Sequence, residues 1–316
     1  MSRFDYAILG AGALGSILGA HLARAGHDVV LLARSRRAAQ ISAEGLRIEG
    51  LVTMALTIPV MTDPRLLKSA GTLIVATKAI DTAQALEPLR HADVGAALSI
   101  QNGMLKDELL AAVFGADAVV GAVANFSGEL LGSGAVVFTR NVDLRIGELQ
   151  GAVTPRIRRI VGDIDAAGVR ATASDAIRVD EWSKFAAWAG LMTLSVTTRR
   201  NTCDFLCDPA AALVLVQVVR EVGRLAAACN VELAGAPVLP VQELCRASDE
   251  RAVEIVTTIG RDFRSTAPTH RVSALQDLEA GRPLEIEETL GYAIALARRL
   301  SVPLPLLEHF HGLLHE

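Results

Sequence analysis

An α/β protein in two parts, a parallel sheet covered by helices followed by an all-helical domain, is predicted by three observations. Up to about residue 170, short β-rich runs alternate with helical segments, the order that parallel strands joined by crossover helices require. From Asp175 onward the strand signal stops, and long segments carry apolar residues at helical spacing. The length of 316 residues exceeds one ordinary domain. The composition shift sets domains of 1–170 and 171–316, with no internal repeat and no low-complexity linker.

In chain order, the strand candidates are "YAILG", "DVVLLA", "TLIVAT", "AALSIQ", "AVVGAVA", "AVVFT", "DLRIGE" and finally "GVRATAS". Between them, "ALGSILGAHLARAG" and "TAQALEPLR" read as helices. In the second half, "AAALVLVQVVREVGRLAAACN" and "LEIEETLGYAIALARRL" continue the helical pattern. The first of these strands and helices meet at "GAGALG", which spans Gly10, Ala11, Gly12, Ala13, Leu14 and Gly15. A bare GxGxxG is weak, but strand, turn and helix context makes it a dinucleotide fingerprint. Gly10 permits the tight turn, Gly12 lets the backbone approach a pyrophosphate, and Gly15 lets the helix pack close to the strand. A glycine turn without a ligand would not require all three. The first domain is therefore expected to be a dinucleotide-binding Rossmann domain.

The end of the second strand discriminates between nicotinamide cofactors. An acidic residue there would accept from the ribose 2′-hydroxyl of NAD, whereas this chain has Arg34 in "LLARSRR", followed by Arg36 and Arg37. A guanidinium pairs with a 2′-phosphate and stacks on adenine, so NADP(H) is expected through Arg34. Arg36 and Arg37 read more readily as solvated surface charges. Two further loops follow strands, where open sheets bind ligands: "VATKAID" with Lys78 and "SIQNGM" with Asn102. Each is either a cofactor or substrate contact or ordinary turn chemistry.

Composition excludes some classes. The chain is 51% hydrophobic and 21% charged with a formal net charge of -4, so no basic bias points to nucleic acid or an anionic membrane. Glycines replace a signal-peptide cleavage site after "MSRFDYAIL", and no run of about 18 apolar residues occurs. A cytoplasmic protein without a membrane partner is expected. Cys203 and Cys207 in "CDFLC", with Cys229 and Cys245, match neither a CxxC nor a zinc-ribbon spacing and read as reduced structural thiols. The cluster "HFHGLLH" (His309, His311, His315) reads as the surface of a terminal helix, and no metal is expected.

The segment "WSKFAAWAGLM", Trp182 to Met192, places Lys184 alone among apolar and small residues. Either it snorkels from a buried helix, or it serves a reaction that develops negative charge. A solvated lysine has a pKa of about 10.4, and burial lowers it toward the range of a general acid.

"GAGALG", the arginine of "LLAR", "TKAID", "QNGM", "EWSKF" and "SALQDLEAGRPLEIE" follow the order and approximate spacing of the ketopantoate reductase (2-dehydropantoate 2-reductase) family, which the chain resembles from about residue 6 to 305. The resemblance implies an N-terminal Rossmann domain and a C-terminal helical substrate and catalytic domain. It also implies NADPH-dependent reduction of a 2-oxo acid to a 2-hydroxy acid, 2-dehydropantoate to pantoate, on the route to pantothenate. By the same resemblance, Lys184 matches the catalytic lysine, Glu285 the active-site acid and Ser273 a substrate-contacting serine. Arg34, Lys78 and Asn102 match cofactor-side positions, with Asn102 near enough to touch the substrate. Glu287 and Glu288 compete with Glu285 on the same segment, and Asp277 is either a surface charge or a structural partner.

One departure bears on the substrate. The family usually carries asparagines four and eight residues after the lysine, where this chain has Trp188 and Met192. Spacing of i, i+4 and i+8 aims Lys184, Trp188 and Met192 into the same space. Two lost hydrogen bonds of roughly 0.5 to 1.5 kcal/mol each are enough to change substrate. The alternatives are a repacked helix, or a reductase of the same fold acting on a bulkier or more apolar carbonyl compound. A methyltransferase is disfavoured by Arg34, and a non-catalytic NADP-binding sensor would need no lysine and acid in the helical half. The apolar surplus of that half is compatible with a homodimer.

Overall fold

The computed structural model describes residues 3–236 and 238–315. The chain divides into two compact units, one made of residues up to Asn102 together with Lys106–Ile177, the other of Gly103–Leu105 and the residues from Arg178 on. The strands described are β1 (Phe4–Leu9), β2 (Val29–Leu32), β3 (Leu46–Gly50), β4 (Met54–Leu56), β5 (Val60–Met61), β6 (Ser69–Val75), β7 (Asp93–Ser99), β8 (Val120–Leu130), β9 (Val136–Glu148) and β10 (Ala171–Ala173).

The first sheet has the order β5-β2-β1-β6-β7 and is parallel throughout. Successive side chains of β1 alternate between two cores, Tyr6 and Ile8 on one side and Ala7 and Leu9 on the other. Burial on both faces explains why these strands are continuous apolar runs. The second sheet is mixed: β9 joins β10 and β3 in parallel, while β4 and β8 run antiparallel to their partners. "AVVFT" and "DLRIGE" form one long strand, β9, rather than two.

Beyond the parallel sheet read from the sequence, the first unit therefore contains a second sheet, and the physical reason lies in the helix after the glycine loop. In helix Ala13–Arg24 every residue from Gly15 to Leu22 is buried. Ile17, Leu18 and Leu22 share a core with Ile8 and Leu31 of the first sheet and with Ile48 and Phe138 of the second. A helix buried all round needs cover on both sides, and the second sheet supplies it.

The second unit is helical, with no strand beyond β10 among the described residues. Its longest helix, Ile177–Thr198, is apolar around most of its circumference and buries Trp182, Phe185, Ala186, Ala189, Leu191 and Leu194. Helix Pro209–Ala228 begins with Asp208 accepting from the amides of Ala210 and Ala211, and Pro209 has no amide to satisfy. No helix among the described residues is long and apolar enough to cross a membrane.

A buried acid anchors the C-terminal helix Pro305–His315. Glu221, 3% exposed, accepts from the backbone amides of Leu306 (3.0 Å) and Leu307 (2.9 Å). The carboxylate thus satisfies two amides that the helix start leaves without intrahelical partners. We expect Glu221→Ala to lower unfolding free energy by roughly 3 kcal/mol, since each orphaned buried amide costs about 1–3 kcal/mol. Urea denaturation measures this; a change within error of zero would show that the cap contributes nothing.

Candidate active site

At the glycine loop, Gly10 and Gly15 meet steric constraints while Gly12 stands beside open space. Gly10 has φ +107°, and a Cβ there would lie 2.7 Å from the Thr77 amide nitrogen, so both the turn and the packing against the end of β6 exclude a side chain. A Cβ on Gly15 would run into the carbonyl oxygen of Gly10, while one on Gly12 would meet nothing within 4 Å. Gly12 precedes helix Ala13–Arg24 without a side-chain cap. The first-turn amides of that helix thus begin beside open space at the carboxyl end of β1, the arrangement that suits an anion.

Arg37 holds this loop from the side. Its Nε donates to Ala11 O at 3.0 Å, its Nη1 to Gly134 O at 2.8 Å and Gln40 Oε1 at 3.1 Å, and its Nη2 to Ser16 Oγ at 3.2 Å. Burial pulls its guanidinium below the ordinary arginine value, with Glu44 opposing. Its reading as a solvated surface charge is corrected: the donor fork is spent on backbone carbonyls of two loops. Arg34, by contrast, is 80% exposed at the end of β2, with Nη2 2.7 Å from Asp81 Oδ1. Asp81 belongs to the short 3-10 turn Ala79–Asp81 of "TKAID", whose first flanking residue is the exposed Lys78. The ion pair therefore connects two of the predicted cofactor loops. Its worth at this exposure is small, about 0–1 kcal/mol.

The third loop is tied to the second by Gln101. Its Nε2 donates to Thr77 O (2.8 Å), Thr77 Oγ1 (3.1 Å) and Thr82 Oγ1 (2.5 Å), and its Oε1 accepts from Ser99 Oγ (2.9 Å). Asn102, half-buried, follows directly. Gly103 then has φ +86°, and a Cβ there would lie 2.9 Å from Thr289 Cγ2.

On the second unit, Lys184 and Trp188 are half-buried on a helix whose neighbouring residues are buried; Ser183 is 1% and Phe185 2% exposed. Ser183 Oγ accepts from the Ala234 amide at 2.9 Å, and Trp188 stacks on Phe185 with ring centroids 6.2 Å apart and planes at 22°. Both contacts fix the rotation of the helix on either side of Lys184. Met192 is 1% exposed and lies in the core of this unit. Ser273 is the exposed first residue of helix Ser273–Glu279.

Glu285, half-buried, immediately precedes the helical turn that begins at Ile286, and its carbonyl accepts from Thr289 Oγ1. Glu287 is committed elsewhere, to His311 and His315. Asp277 is buried and pairs with Arg282 at 2.7 Å, a structural partner. The four cysteines are free thiols, and burial pushes those of Cys229 and Cys245 up. An open cleft of about 510 Å³ lined by Glu148, Gln150, Gly151, Thr154, Pro155 and Arg156 contains none of the predicted residues.

Sequence reasoning missed Arg37, Gln101 and Glu221. Glu221 had a readable signal: it is the one charge in a stripe otherwise made of Val218, Val219, Val222 and Leu225. Arg37 and Gln101 had none, because their partners lie in distant loops.

The fold agrees with the comparisons to known proteins. A 2-dehydropantoate 2-reductase of Archaeoglobus fulgidus is 29% identical over 280 residues, covering 89% of this chain and 86% of the relative. A solved PanE/ApbA family ketopantoate reductase from Ralstonia eutropha JMP134 superposes with a TM-score of 0.82 at 27% identity, covering 98% of this chain and 97% of that one. D-mandelate dehydrogenase, solved with NADH and anilino(oxo)acetate, shares the fold at a TM-score of 0.84, with 19% identity and coverage of 98% and 97%. The family model "Ketopantoate reductase PanE/ApbA" matches residues 6–151, and "Ketopantoate reductase PanE/ApbA C terminal" matches 176–316. From both halves together, the chain belongs to the ketopantoate reductase family and is an oxidoreductase acting on CH–OH groups.

Proposed function

We propose that the protein reduces a 2-oxo acid to a 2-hydroxy acid with NADPH, and that the substrate is 2-dehydropantoate, giving pantoate. The observation that carries this reading is that one chain holds both an open, uncapped glycine-loop helix start in its first unit and a half-buried lysine on an apolar helix of its second. The residues of the first unit fit a dinucleotide. Gly12 leaves space for the pyrophosphate, the backbone of Ala11, Ala13 and Leu14 completes the loop, and Lys78 and Asn102 stand on the next two loops. Exposed Arg34, whose partner is one surface carboxylate, is available to a 2′-phosphate and selects NADPH over NADH. A bound NADPH supplies the hydride for the ketone carbon.

Lys184 then has two tasks. Its ammonium meets the negative charge that develops on the carbonyl oxygen, and it donates the proton that completes the alcohol. Partial burial beside Phe185 strengthens the first effect, because charges interact more strongly where water is thinned out. Glu285 accepts from the new hydroxyl or holds the ammonium in place, and Ser273 and Asn102 orient the substrate. The cytoplasm, where NADPH is plentiful, suits such a reaction.

A second reading is favoured by one observation. The positions four and eight residues after Lys184 carry an indole and a thioether, so this helix offers the substrate no amide at either. A bulkier or more apolar 2-oxo acid would suit Trp188, with Met192 supporting the wall from the core.

Three measurements test these statements. Loss of NADPH absorbance with 2-dehydropantoate should exceed the rate with larger 2-oxo acids in kcat/KM; the reverse order supports the second reading. Lys184→Ala should lower kcat by roughly a hundredfold or more while the NADPH dissociation constant stays within about twofold. Unchanged turnover would contradict the role given to Lys184, whereas NADPH binding without turnover of any 2-oxo acid in the wild type would favour a non-catalytic NADP-binding sensor. Arg37→Ala should weaken NADPH and NADH binding alike, by about tenfold or more, because it frees the loop rather than the 2′-phosphate site; Arg34→Ala should weaken NADPH alone. Equal losses in both cofactors for Arg34→Ala would contradict the assignment.

A further inference from the structure

The C-terminal helix meets the turn after Glu285 in a cluster that the reduction chemistry does not use. His311 and His315 lie four residues apart on helix Pro305–His315, so both imidazoles project from one face. Both ring Nε2 atoms approach one oxygen, Glu287 Oε1, that of His311 at 2.9 Å. The ring centroids are 4.6 Å apart at an interplanar angle of 62°. One donor atom from each of the three residues lies within 4.8 Å of the others.

We propose that Glu287, His311 and His315 bind a divalent transition-metal ion, Zn²⁺ foremost. Zinc–nitrogen and zinc–oxygen bonds of about 2.0–2.1 Å place tetrahedral ligands roughly 3.3 Å apart, so small side-chain rotations bring these three donors to coordinating distance. Two imidazoles and one carboxylate are a donor set that zinc takes up readily, and the exposure of His315 and Glu287 leaves a fourth position to water. An imidazole that coordinates through Nε2 carries its ring proton on Nδ1, so each Nε2 lone pair would face the ion.

The surroundings are built for this cluster. Glu287–Gly291 forms a π-helical turn, a wider winding that recurs at functional sites. At Gly291, a Cβ would run into the Glu287 carboxylate and lie 3.3 Å from His311 Nε2, so the glycine leaves room where the ligands converge. At its other end the same helix is fixed by Glu221, so both imidazoles are presented from an anchored element. An ion here would staple the C-terminal helix to the turn that begins just after Glu285. The proposal departs from the reading of His311 and His315 as plain helix surface, while His309 is exposed and lies outside the triad.

The test uses the full chain, stripped with EDTA and titrated with ZnCl₂ by calorimetry. One Zn²⁺ per chain is expected, with affinity lowered tenfold or more in His311→Ala and in His315→Ala and unchanged in His309→Ala. Thermal unfolding provides a second readout: Zn²⁺ should raise the Tm of the wild type by a few degrees and that of His315→Ala by much less. Failure to bind, binding of equal strength in His315→Ala, or equal weakening in His309→Ala would overturn the proposal. None of these outcomes depends on which 2-oxo acid is the substrate.

Discussion

The backbone of Gly15 lies against the carbonyl of Gly10 with no room for a methyl group between them, and the organisation of the first unit follows from that contact. Helix Ala13–Arg24 can lie this close to β1 only because both positions lack side chains, and its closeness buries eight consecutive residues. Burial on all sides then demands the second sheet, with Ile48 and Phe138 on the face opposite Ile8 and Leu31. The same contact leaves the first amides of the helix beside Gly12, where nothing crowds them. Arg37 and Gln101 hold the loops around this point with hydrogen bonds to Ala11, Gly134 and Thr77. Both act on backbone carbonyls, so they set loop positions without adding chemistry of their own.

The helical unit solves a different problem, that of keeping an ammonium at the edge of an apolar core. Helix Ile177–Thr198 is hydrophobic on nearly every face, which fixes it in the centre of its unit. Lys184 and Trp188 are two of its few half-buried residues in the segment, and Phe185 beside them is packed between Trp182 and Trp188. An aromatic stack of this kind limits the rotamers open to Trp188, so the indole is a fixed surface rather than an adaptable one.

Much of the fold was legible because its strands are buried on both faces and its helices carry long apolar stripes. "YAILG", "DVVLLA", "TLIVAT" and "AALSIQ" fall on β1, β2, β6 and β7 for that reason. β3 and β4 escaped notice because only Leu46 and Ile48 point inward from "LRIEG", and a strand of five residues with alternating charges resembles a loop. The glycine loop was readable from its spacing within a strand, turn and helix context, and Gly10 and Gly15 answer steric constraints close by. Arg37 was not, because a run of arginines reads as solvated until the distant carbonyls it meets are known. Glu285 and Glu287 differ by two positions in sequence, and only folding commits Glu287 to the histidines of the terminal helix.

Hydride transfer to a carbonyl carbon is the step on which the proposed function rests. The most direct measurement is mass spectrometry of the product formed from a 2-oxo acid and NADPH carrying deuterium at both C4 positions. A 2-hydroxy acid with one deuterium at C2 is the expected result. A product without deuterium, or no product with any 2-oxo acid while NADPH still binds, would contradict it.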